Sequence, residues 1–182
     1  MKLNELQAQV LAYLFENLSL EDPVDTLDFT LSGEFTGRYI CIEAKVQGTE
    51  TDSSLVANLP SYSNTVFITF TRGRARQAAL ILANLEDYLR ETQRALAEGD
   101  VVVLPACQAD LDHSSPHAVM LMNTKVSPEL QDLSGVLTLR SGAVNVFYAL
   151  GLDQQEYECL KAQGFDTLMD QFVESGKDLY MN

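Results

Sequence analysis

Apolar residues recur at helical spacing from the start of the chain. Leu3, Leu6, Val10, Leu14 and Leu18 share one stripe, and Leu11 and Phe15 widen it. This predicts an amphipathic helix over 3–18, with Asn4 near its cap. Past Pro23 the period changes to two. In DTLDFTL (25–31), Leu27, Phe29 and Leu31 share a face. In RYICIEAKV (38–46), Ile40, Ile42, Ala44 and Val46 face the core, while Tyr39, Cys41, Glu43 and Lys45 face out. Both read as strands, and the SGEFTG between them suits a hairpin. The next stretch, 47–63, is polar and turn-rich and reads as a long surface loop, the first place to look for a binding segment.

NTVFITFT (64–71) alternates again, so strands occupy 25–71 with that loop among them. A long helix follows over 73–97, with Ala78, Ile81, Leu82, Leu85, Tyr88, Leu89 and Leu96 on its buried face and Gly99 as its cap. DVVVLP (100–105) is a continuous apolar run, the mark of a strand buried on both faces. AVMLMN (118–123) is a further strand, and Ser127 and Pro128 suit the start of a helical turn. GVLTLR (135–140) and AVNVFYAL (143–150) form a hairpin around Ser141 and Gly142. Asp153 then caps a helix, with Glu156 completing a capping box. Gly164 stops that helix in the left-handed conformation, and Asp166 caps another that carries Leu168, Met169, Phe172 and Val173. Strands and helices therefore also fill 100–174. No repeat or strong linker divides the chain. The order predicts one α+β domain over 1–182: a mixed, largely antiparallel sheet with helices packed on one face.

Charge narrows the partners. The chain has 12 basic and 26 acidic residues, a formal net charge of −14. Phosphate backbones and anionic lipid would repel it, so nucleic acid and membrane surfaces are not expected partners. The first residues do not resemble a signal peptide, and no apolar run reaches the roughly 18 residues of a membrane span. Cys41, Cys107 and Cys159 are widely spaced and odd in number, which fits free thiols in a cytoplasmic protein.

Chemistry-bearing motifs are sparse. There is no G-x-S-x-G elbow, and Gly33, Gly37, Gly48 and Gly73 form neither a P-loop nor a dinucleotide fingerprint. Both histidines lie in DLDHSSPH, where Asp110, Asp112, His113 and His117 cluster. Pro116 and two serines make this a loop, so a polar surface is the simpler reading than a metal site. Glu86 and Asp87 read as helix surface rather than an acid–base pair. RGRAR places Arg72, Arg74 and Arg76 where a helix begins, against the helix dipole. Such a cluster could hold an acidic peptide or a phosphate; pairing with the chain's own carboxylates is the simpler reading. No cofactor, metal or catalytic residue is expected.

The later half resembles a known family. A strand followed by a turn and an acidic helix, carried by Val144, Phe147, Leu150, Leu152, Glu156, Gly164 and Leu168, is similar to the end of the Suppressor of fused (SUFU) domain. GVLTLR resembles the strand before it. ALILANLEDYLRETQRALAEGDVVVLP resembles the family's leucine-rich helix and the strand after it. The resemblance covers 64–174. It departs at Ala149-Leu150-Gly151-Leu152, where the family usually shows Q-L-x-P-L, and Leu31-Ser32-Gly33 only echoes a Thr-Ser-Gly hairpin. It implies a SUFU-like fold and a non-enzymatic domain that binds a protein or peptide. Eukaryotic members clamp a short peptide of a transcription factor, and small bacterial members act as immunity proteins against toxins, so an immunity or adaptor role follows. A basic toxin would suit the charge. The partner-binding residues expected on this basis are Arg72, Arg74 and Arg76, with Tyr39 and Glu43 on the outward sheet face and Tyr62 in the 47–63 loop. Two other classes stay open: an acidic chaperone for a secreted effector using the first helix, and a small metal-dependent enzyme using the 110–117 loop.

Overall fold

The first helix, α1 (Glu5–Asn17), is held at its start by a capping box between Asn4 and Gln7. It is followed by β1 (Leu20–Ser32), β2 (Thr36–Val46), β3 (Ser53–Leu59) and β4 (Thr65–Arg72), then α2 (Ala75–Thr92). The remainder runs β5 (Val101–Val103), β6 (Ala118–Met122), two short 3-10 turns (Thr124–Val126 and Pro128–Leu130), β7 (Val136–Leu139), β8 (Gly142–Leu152), α3 (Gln154–Gln163) and α4 (Phe165–Ser175). This computed structural model describes residues 2–32, 36–49, 52–104 and 116–181.

The eight strands among the described residues join one sheet in the order β1-β2-β3-β4-β8-β6-β5, with β7 paired to β8. β4 and β8 run parallel; the other described pairs are antiparallel. The mixed, largely antiparallel sheet with helices on it matches the sequence expectation. Its layering does not, because the helices cover both faces. On β3, Leu55, Ala57 and Leu59 join Val10 and Leu14 of α1 and Leu168 and Phe172 of α4 in one core. Val56 points the other way, into a second core with Ala78, Ala79, Ile81, Leu82 and Leu85 of α2. Each Val, Leu, Ile or Phe side chain among them, fully removed from water, stabilises the fold by roughly 1.5–3 kcal/mol.

Two-sided burial accounts for several departures from the sequence reading. The 47–63 segment is not a long surface loop. It contains β3, which lies between β2 and β4 and is buried along its whole length. A strand covered on both faces has no hydrophobic alternation to show, and the polar Ser53, Ser54 and Asn58 disguise it further. For the same reason Tyr39 and Cys41 do not face outward: both are completely buried under α2. DVVVLP is the reverse case. β5 is outermost in the strand order and, among the described residues, pairs only with β6; Val103 is exposed.

Helix ends also shift. α2 stops at Thr92 rather than 97, and Gln93 takes the left-handed conformation (φ 52°, ψ 24°) with its N–H on the Leu89 carbonyl. Asp100 organises the turn beyond, accepting from Ala97 N at 3.0 Å and pairing with Arg94 at 3.1 Å. Gly164 has φ +87° but ψ 176°, outside the left-handed helical region. It serves as the C-cap of α3 and the N-cap of α4 at once, so Asp166 lies in the first turn of α4 instead of capping it. The Asp153–Glu156 capping box forms as expected.

Candidate partner-binding site

The turn between β3 and β4 (residues 60–64) is built on a buried carboxylate. Glu86 of α2 is fully buried, contrary to its reading as helix surface. Glu86 Oε1 accepts from the backbone N–H groups of Ser61 at 2.5 Å and Tyr62 at 2.8 Å. Its other oxygen accepts from Asn58 Nδ2 at 3.0 Å. Burial pushes the carboxyl above the ordinary glutamate value, while hydrogen bonds from Tyr62, Asn58, Ser61 and Ser63 pull the other way. Gln7 of α1 reaches the same turn, donating to Ser61 Oγ at 3.1 Å. The helices of both layers thus hold one turn.

That turn presents Tyr62, which is exposed. Its ring meets Tyr39 edge-on, with centroids 5.3 Å apart, and its hydroxyl accepts from Arg38 N at 3.1 Å. The Tyr39 hydroxyl donates to Asp87 and accepts from Arg90 Nε at 3.1 Å. Arg90 also pairs with Asp87 at 2.8 Å. Burial first, and then Asp87, hold the Tyr39 hydroxyl well above its ordinary pKa, so it stays protonated. At the rim, Arg38 pairs with Asp28 at 3.1 Å. The result is a rigid corner with an aromatic edge and a few charges at its surface, a composition that suits contact with a protein.

Two of the expected site residues, Tyr39 and Tyr62, are therefore together, Tyr62 at the surface and Tyr39 beneath it. Glu43 lies farther along β2, opposite Val56, and accepts from Ser54 Oγ at 2.9 Å. The arginines do not form one patch. Arg72, across from Ser53, pairs with Asp178 and lies 4.4 Å from the Tyr180 ring centroid. Arg74 occupies the α2 N-cap position and Arg76 lies over Phe29. Of the acidic–histidine cluster, Asp110, Asp112 and His113 lie outside the described residues, as does Cys107. His117 packs its ring against Tyr157, with centroids 5.1 Å apart. No group of three metal-ligating side chains occurs among the described residues, and no helix there is long and apolar enough to cross a membrane.

Sequence reasoning missed Asn58 and Glu86. The signal for Glu86 was available: it follows Leu85 and stands one turn after Leu82, inside the apolar phase of α2. Asn58 had no such signal.

The model of the Suppressor of fused protein family matches residues 55–182. The chain belongs to this family. The crystal structure of a proposed SUFU homolog from Neisseria gonorrhoeae FA 1090 superposes with a TM-score of 0.67 at 16% identity, over 98% of this chain and 94% of that one. At that identity the likeness concerns the fold. No curated protein matches the chain. The family match begins inside β3, so the strand that reads as loop is the first element it includes.

Proposed function

We propose that this SUFU domain is a non-enzymatic protein-binding domain, acting as a bacterial immunity or adaptor protein. Family membership carries the reading, since the resemblance implies binding rather than catalysis. The net charge of −14 gives the partner a sign. A basic protein, such as a toxin that acts on nucleic acid, would be steered to an acidic surface and held there in a salt-dependent way. The corner around Tyr62, with Arg38, Asp28 and Tyr39, offers an ordered aromatic contact at that surface.

The chaperone reading needs the first helix and an exposed apolar patch for a client; of that helix's apolar stripe, Val10 and Leu14 are fully buried against the sheet, and Phe15 is exposed.

A tagged pull-down from native lysate, washed at low and then high salt, tests the proposal. A single basic partner held at low salt and shed at high salt is the expected result. An empty lane at both salts overturns it. Loss of that partner on Tyr62→Ala, with the fold intact by circular dichroism, would locate the contact at the corner.

A further inference from the structure

The sheet opens between its two parallel strands, and the chain fills the opening itself. The β4–β8 ladder ends at Ile68–Tyr148, yet β4 continues to Arg72 and β8 to Leu152. The segment 178–181, which follows α4, lies in the gap. Met181 N donates to the Phe70 carbonyl at 2.7 Å, and the Tyr148 hydroxyl donates to the Leu179 carbonyl at 3.0 Å. Successive side chains go to opposite faces, as in a strand. Tyr180 stacks on Phe70 in the α1-side core, with centroids 5.4 Å apart. Met181 enters the α2-side core and passes close to Gly151 of β8. Asp178 pairs with Arg72, which also lies over the Tyr180 ring.

The main-chain, hydroxyl and ion-pair contacts to this segment come from β4 and β8, Pro116 shares the space beside Gly151, and a helix end precedes the segment. Gly176 takes φ +62° in a Schellman motif, with Lys177 N on the Phe172 carbonyl at 2.9 Å. We propose that the β4–β8 opening is a peptide-binding groove, that its ligand is a partner's segment of the pattern acidic–x–aromatic–apolar, and that 178–181 is an internal copy of that ligand which the partner displaces. This rests on the protein-binding reading above and supplies a site and a ligand chemistry for it. Arg72 selects the acidic and aromatic positions, the Phe70 carbonyl and Tyr148 hydroxyl take the backbone, and the space beside Gly151 takes the apolar side chain. The peptide mode is strand addition, with side-chain pockets on alternate faces.

The test uses the full chain and the labelled peptide KDLYMN. A tethered copy competes at an effective concentration of about millimolar, so the wild-type chain should take up the peptide weakly. A chain carrying Tyr180→Ala and Met181→Ser should bind it about tenfold or more tightly than wild type, and adding Arg72→Ala should remove about tenfold of that gain, as expected for losing an ion pair and a cation–π contact. Equal uptake by the wild-type and loosened chains overturns the proposal. Hydrogen exchange on the unsubstituted chain is independent of how the variants fold. The Met181 amide should exchange through local opening, well ahead of the β3 amides; exchange in step with β3 would make the segment an integral strand and overturn the groove. A partner held equally by the loosened chain with and without Arg72→Ala also overturns the groove while leaving the protein-binding reading standing, whereas the absence of any partner removes that reading itself.

Discussion

Asn58 Nδ2 stands 3.0 Å from Glu86 Oε2, so an amide at the centre of the sheet and a carboxylate on α2 are joined in the interior. The same amide nitrogen donates to the Thr65 carbonyl at 3.2 Å, and its oxygen accepts from Phe67 N at 2.6 Å. Asn58 thus bonds β4 through its side chain beyond the point where the β3–β4 ladder ends, at Ala57–Ile68. Asn58→Ala leaves the Phe67 N–H and one Glu86 oxygen buried without these partners. A loss of about 3 kcal/mol is expected, since each stranded polar group costs roughly 1–3 kcal/mol. Urea unfolding should show a lower midpoint with an unchanged slope.

Glu86 should make stability depend on pH. Its carboxyl titrates higher in the folded chain than the ordinary 4.5 because burial disfavours the charged form. The folded state therefore holds the proton longer than the unfolded state. This contribution is fully present below about pH 4.5 and is lost as pH rises through the folded value. Glu86→Gln removes it. The stability of wild type minus that of the variant should fall with rising pH across this window and then level off; a flat difference from pH 4 upward would contradict the burial effect.

Gly37 is required by Tyr39. A Cβ at Gly37 would lie 2.6 Å from the Tyr39 hydroxyl oxygen and 2.7 Å from a ring carbon. The ring cannot easily withdraw, being held by Asp87, Arg90 and Tyr62. Gly37→Ala should cost about 1–3 kcal/mol by overpacking. Combined with Tyr39→Leu it should cost less than the sum of the single changes, because the two residues collide with each other. Thermal unfolding of the four chains measures the coupling.

The two described thiols should differ sharply in reactivity. Cys41 is fully buried under α2, its Sγ 3.3 Å from the Ala79 carbonyl, and burial first, with Glu86 and Asp28 adding to it, raises its pKa well above 9.0. The thiolate is the reactive form, so alkylation of the native chain should spare Cys41. Cys159 is half-buried on α3 and should be labelled first. Peptide mapping after brief iodoacetamide treatment checks the order; early labelling of Cys41 would mean that α2 lifts from the sheet.

Two local signals in the sequence were reliable, and in both the partners are close along the chain. The Asp153–Glu156 capping box spans three residues, and the β7–β8 hairpin closes within two, between Leu139 and Gly142. Both are legible because the atoms that satisfy them are neighbours in the sequence. Asn58 is the opposite case: Glu86 is 28 residues away, and nothing near Asn58 marks it as a core residue. The candidate corner was half legible for the same reason. Tyr39 and Tyr62 were singled out, but Tyr39 was assigned to an outward face because alternation reports two faces without saying that both are covered.

By itself the sequence determined most element types, though not β3, and with them the largely antiparallel sheet, the caps of α1 and α3 and the acidic net charge. These depend on periodicity, turn residues and composition, which act over a few residues or over the whole chain at once. Only the tertiary structure decided that α2 covers the second face, that β3 is a central strand, that Glu86 is buried and that Arg72 is engaged by Asp178. Each of these depends on which distant segments share a core or a charge, and that is settled when the whole sheet closes and buries its polar groups against partners far along the chain.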